Sequence, residues 1–198
     1  MASQTGKLLG NGPLWRFNAC VGSNGGPYGY AEYAAGYFAA TLELISSLAQ
    51  STRRVDLLIY PIAFNFRHGI ELSLKHLSQT LPGLWGEQPP TKWTHKLSDN
   101  WSLVRGYLVR EPDFDPDGDL LAGFDAILKE FLEVDPSGEV FRYPKTKSGQ
   151  QTLTNRGVIN LALLEEGLEQ VQKMFEWWNI TASRMWDYYA ERHADVYC

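Results

Sequence analysis

The stretch Leu161–Tyr189, LALLEEGLEQVQKMFEWWNITASRMWDYY, decides how the rest of the chain is read. Its apolar positions Leu161, Leu164, Leu168, Val171, Phe175, Trp178, Ala182, Met185 and Tyr189 alternate steps of three and four without a break. That is a heptad seam, narrower than the apolar stripe of an ordinary surface helix. It fits a long core helix of a bundle, and it also fits a helix that pairs in part with a second copy of the chain. No β-type alternation of any length and no internal repeat occurs elsewhere, so the spacing predicts an all-α bundle of about five helices.

Upstream, the same period recurs in shorter runs. Leu120, Leu121, Phe124, Ile127, Leu128, Phe131 and Leu132 predict a fourth helix, closed by Asp135, Pro136, Ser137 and Gly138. Leu97, Trp101, Val104 and Leu108 predict a short third helix, with Thr94 or Ser98 placed to cap its first turn. Residues 79 to 94 hold Pro82, Gly83, Gly86, Pro89 and Pro90 and read as a loop. A second helix is expected over Asp56–Ser78, with Leu58, Ile62, Phe66, Ile70, Leu74 and Leu77 on its apolar side and Pro61 either kinking it or marking its first turn. Tyr30, Tyr33, Ala34, Tyr37, Phe38, Leu42, Ile45 and Leu48 mark the first helix. Glycine, asparagine and proline punctuate residues 1–27 too often for regular structure, so they form an irregular arm, pinned by Trp15 and Phe17, ahead of a helical domain over 28–198.

Composition narrows the functional classes. A chain of 198 residues holds one domain with a real core, and 44% hydrophobic with 21% charged residues excludes a disordered or fibrous protein. Eighteen Lys plus Arg against 23 Asp plus Glu gives a net charge of -5, which excludes the overall basic surface of a general nucleic-acid coat but allows a local basic patch. The longest purely apolar stretch, Leu57–Phe64, is far shorter than the ~20 residues that cross a bilayer. The first residues carry only Lys7 and no apolar run of a signal sequence, so a cytoplasmic protein with no membrane partner is expected. Cys20 and Cys198 form neither a disulfide framework nor a metal-ligand spacing and are read as reduced. Histidines at 68, 76, 95 and 193 are too scattered for a metal, and the chain lacks a phosphate-binding Gly-rich loop, HExxH and GxSxG, so no cofactor is expected. Seven tryptophans in so short a chain must mostly be buried in a core or an interface, which favours self-association.

Three pieces can carry chemistry. On the second helix Arg67, Glu71 and Lys75 lie four apart and, with His68, form a polar strip opposite the Phe66, Ile70 and Leu74 face. They read either as ordinary i,i+4 ion pairs worth a few tenths of a kcal/mol each, or as a site in which His68, beside a guanidinium and a carboxylate, moves protons near neutral pH. His95 and Lys96, at the start of the third helix, could hold an anion where backbone N–H groups already favour negative charge. Arg142 and Tyr143, before Pro144, should project in opposite directions from an extended strap. That strap either closes the bundle or meets phosphates and bases.

In order, RHxxELxLK (Arg67–Lys75), THKL (Thr94–Leu97) and FRYP (Phe141–Pro144) make the chain resemble the HEPN superfamily, the higher eukaryote and prokaryote nucleotide-binding helical domains, over roughly residues 30–190. The resemblance is to its bacterial branch. It implies a bundle of four to five helices that commonly dimerises, in ribonuclease toxins or effectors of antiphage and toxin–antitoxin systems or in nonenzymatic binding modules. By it Glu71 and Lys75 match the family helix, His95 the THDL histidine, and Arg142 and Tyr143 the RYPD pair, with Lys96 and Lys145 in place of two aspartates. Two acid-to-base exchanges make the local field more positive and favour an anionic ligand.

The chain departs from the catalytic pattern of an Arg followed after four to six residues by a His: His76 and His193 stand nine positions after Arg67 and Arg184, about 13 Å apart along a helix. The expectation is therefore a dimeric RNA- or nucleotide-binding protein of a prokaryotic defence or toxin–antitoxin module, with a possible protein partner from the same system. The alternatives are a metal-independent ribonuclease using Arg67 and His68, or His95 with Arg142, and a non-catalytic structural subunit.

Overall fold

The computed structural model describes residues 8–22, 24, 26, 28–48 and 54–195, with side chains as far as Glu191. Lys7, Cys198 and the His193 side chain lie outside the described residues. Over the described residues the chain is an all-α bundle of five α-helices: α1 (Tyr30–Leu48), α2 (Val55–Thr80), α3 (Leu97–Leu108), α4 (Leu120–Val134) and the long α5 (Leu161–Asp195). Among the described residues the only β-type pairing is one isolated bridge, Lys145 to Gln151. No helix there is long and apolar enough to cross a membrane.

The core forms where the apolar stripes meet. Trp101 of α3, Phe124 of α4 and Phe175 and Trp178 of α5 interlock, with Trp101 and Phe124 ring centres 4.4 Å apart and Phe124 and Trp178 5.4 Å apart. Buried indoles need an acceptor, and the Trp178 N–H donates to the Phe114 carbonyl at 3.1 Å. The middle of the heptad seam is thus consumed inside the chain, as Leu168, Val171, Phe175, Trp178 and Ala182 are all buried in its own core.

α1 lies along α2. Gly69 permits the approach, because a Cβ there would stand 2.4 Å from the Phe38 ring. α2 runs through Pro61 instead of starting at it. The missing N–H removes the usual donor to the Leu57 carbonyl, and Leu57 lies on the exposed side of the helix. The arm also departs from expectation: Trp15 and Phe17 form one 3-10 turn and pin nothing, both rings standing in solvent.

Candidate functional site

α2 is covered on two sides, and this changes the meaning of its polar strip. Arg67, Glu71 and Lys75 are 3%, 2% and 6% exposed, so they do not form a solvated face opposite the core. The burial has a physical cause: α1 covers one flank of the helix, while the loops that hold His95 and Asp135–Tyr143 cover another.

Glu71 is the hub. Its Oε1 accepts from Lys75 Nζ at 2.7 Å and stands 2.9 Å from His95 Nδ1, while its Oε2 accepts from Arg67 at 3.5 Å. Burial pushes its pKa up, but the hydrogen bonds from Lys75 and His95 outweigh that and hold the carboxyl below the usual carboxylate range. His68 Nδ1 lies 4.0 Å from Oε2. Burial chiefly lowers the His68 pKa; the charges of Lys75, Arg67 and His95 add to this and Glu71 opposes it, so the ring is neutral at pH 7.

Arg67 is locked by residues far along the chain. Its Nη2 donates to the His95 carbonyl at 3.4 Å, and its Nε stands 3.6 Å from Asp135 Oδ2. That Nε is buried and makes no hydrogen bond, so the Asp135 charge is what offsets its desolvation. Asp135 in turn holds its own loop, its Oδ1 accepting the N–H of Gly138 at 2.7 Å and of Val140 at 3.1 Å. Gly138 has φ +80° and lies against the guanidinium, where a Cβ would come 2.6 Å from Nη1. Two buried cations, Arg67 and Lys75, thus face two buried anions, Glu71 and Asp135.

The remaining predicted residues lie at the rim. His95 joins the knot through its carbonyl and, of its ring, through Nδ1, with its side chain 85% exposed. Against the ionised Glu71 its Nδ1 is the donor, and its Nε2 is left outside the knot. Lys96 is exposed and makes no ion pair among the described residues. It is the N-cap of α3 with no side-chain cap, so neither Thr94 nor Ser98 caps the helix as expected: Thr94 Oγ1 accepts the Lys96 N–H at 3.1 Å, and Ser98 donates to Asp99 at 3.2 Å.

Arg142 and Tyr143 do not point apart. A turn in which both N–H groups bond the Glu139 carbonyl brings them together, and Arg142 donates to the Tyr143 hydroxyl at 3.1 Å. The guanidinium lies over Tyr143 on one side and over Phe64 of α2 on the other, at 5.1 and 5.7 Å from the ring centres. Phe64 stacks on His68 at 5.6 Å, so Arg142 reaches the cluster through two aromatic rings and not by direct contact with His95.

Asp135 and Gly138 were read from the sequence only as the close of α4, not as members of a site. An acid at the C-terminal end of α4 opposes the helix dipole unless a cation pairs with it, and that was the available signal. No group of three or more His, Cys, Asp or Glu that could hold a metal occurs among the described residues. No family model, curated protein or solved structure matches the chain.

Proposed function

We propose that this is a HEPN-like protein that dimerises and binds RNA or a nucleotide, as part of a prokaryotic defence or toxin–antitoxin module. The single observation that carries the reading is the gathering of Arg67–Lys75, His95–Lys96 and Arg142–Tyr143, separate in sequence, along one side of α2, with only basic and aromatic members of the three pieces left exposed. The buried knot serves as a frame. Lys96 and Arg142 supply charge for phosphates, and Tyr143 supplies a stacking face for a base.

A short labelled single-stranded RNA, titrated by anisotropy, tests this. Lys96→Ala and Arg142→Ala are each expected to weaken binding about tenfold and to flatten its salt dependence by roughly one counterion. Absence of binding, or binding indifferent to both changes, would remove the reading and leave a structural subunit.

One geometric feature favours a second reading, a metal-independent ribonuclease. The Glu71–His95 contact fixes an imidazole with a free outward nitrogen, a disposition suited to proton transfer. Arg67 is enclosed, so the pair for such chemistry is His95 with Arg142 in place of Arg67 with His68. Cleavage of cellular RNA without metal, lost in His95→Ala while the fold persists, would establish it. Intact RNA with wild-type protein would dismiss it.

A further inference from the structure

The largest unexplained feature of the molecule is the arm ahead of α1. Leu8, Leu9, Leu14, Trp15, Phe17 and Val21 are all exposed, Leu8 to 97% and Trp15 to 82%. The hydrogen bonds there are internal, Gly12 and Asn18 bonding each other at 2.8 and 3.0 Å, and Arg16 lies only over the neighbouring Phe17 ring. Aromatic side chains carry about 150–250 Å² each and aliphatic ones less, so at these exposures the six present on the order of 700 Å² of mostly apolar surface. Monomers rarely show apolar patches of more than about 300–600 Å².

Elsewhere the bundle leaves an apolar groove of about 530 Å³ between α2, α4 and the start of α5, lined by Ile127, Phe131, Phe141, Val158, Ile159 and Leu163. Val158 and Leu163 are exposed at its edge. Glu130 and Glu166 also line it, and neither has an ion-pair partner among the described residues. No arm residue lines the groove of its own chain.

We propose that residues 8–22 of one copy lie in this groove on a second copy, and that the exchange is reciprocal. This rests on the dimer in the reading above and names the surface that makes it. Three observations select a second copy as the occupant. The arm is apolar where the groove is apolar. Arg16, the cation of residues 8–22, would meet a rim with two carboxylates unpaired among the described residues, Glu130 and Glu166, against one cation, Arg156. Two arms together would contribute on the order of 1,400 Å², most of the roughly 1,600 Å² that a stable interface buries in total.

The test is light scattering across micromolar concentrations on the full chain, on the arm variant Trp15→Ser/Phe17→Ser and on the groove variant Val158→Asp/Leu163→Asp. All four side chains are exposed, so the fold is expected to survive, as checked by circular dichroism. The wild type is expected to be a dimer and each variant a monomer, the dimer dissociation constant rising at least a hundredfold. Mixing the two variants should restore a heterodimer, because the intact arm of the groove variant meets the intact groove of the arm variant. A wild-type monomer at all concentrations would overturn both the dimer and the exchange. A dimer that survives the arm substitutions would keep the dimer and overturn the exchange, as would two monomeric variants that form no heterodimer at any concentration, the outcome of an arm folding onto its own groove.

Discussion

Arg67 and Arg142 approach the same length of α2 and differ in almost everything else. Arg67 is enclosed among Glu71, Asp135, the His95 carbonyl and Gly138. Arg142 lies between the Phe64 and Tyr143 rings and remains open to water. Removing a buried ion leaves its partners charged and unsolvated, whereas water replaces an exposed one. Side chains of one type therefore divide into those that hold the cluster together and those free to meet a ligand. The division also explains why an Arg–Glu–Lys ladder, which elsewhere on a helix is a minor surface feature, holds three segments of this chain together.

The most severe way to break the comparison is to remove the hub. Glu71→Gln leaves Arg67 and Lys75 buried without their shared anion and is expected to cost about 3–5 kcal/mol in urea unfolding. A loss below about 1 kcal/mol would mean that water enters the knot. Gly138→Ala comes next: it combines a left-handed backbone with a Cβ driven into the Arg67 guanidinium, and a loss of about 2 kcal/mol is expected, read from the thermal midpoint. Unchanged stability would show that the Asp135 loop is not fixed against Arg67.

A pH series sharpens the contrast further. His68 and His76 titrate below the ordinary histidine value, both chiefly through burial, so the unfolded chain takes up protons first as pH falls below about 6.5. Their contribution is present above that pH and is lost through the folded values. Glu71 adds a second loss once pH falls below its ordinary carboxylate range, since its folded pKa is depressed. Urea midpoints should therefore decline from pH 7 towards pH 5 and more steeply below pH 4. His68→Gln should flatten the first limb; an unchanged profile would assign that limb elsewhere. The smallest effect is expected at Arg110, which pairs with Glu87 at 2.6 Å near the Tyr107 ring but at the surface. Arg110→Ala should leave the urea midpoint nearly unchanged, and a clear loss would place that pair with Arg67.

The helices were legible because packing imposes a period: Leu97, Trp101, Val104 and Leu108, spaced four, three and four, are all buried along α3. The knot was legible only in part. Residue spacing put Arg67, Glu71 and Lys75 on one face, but a helical wheel records no neighbours, and burial came from His95 and Asp135, 28 and 68 positions beyond Arg67. The rotation that joins Arg142 to Tyr143 was hidden for a related reason. A proline restricts the residue before it, whereas the turn that swings both side chains together is set by the Glu139 carbonyl. The exposed apolar arm was misread because Trp15 and Phe17 look like anchors whenever a core is assumed to lie within reach.

The division of the cluster into frame and contact surface rests on the two arginines, so urea unfolding of Arg67→Ala and Arg142→Ala, side by side at pH 7, is its most direct test. Arg67→Ala is expected to lose about 3–5 kcal/mol and Arg142→Ala less than about 1 kcal/mol. Losses of similar size in the two proteins would contradict the division.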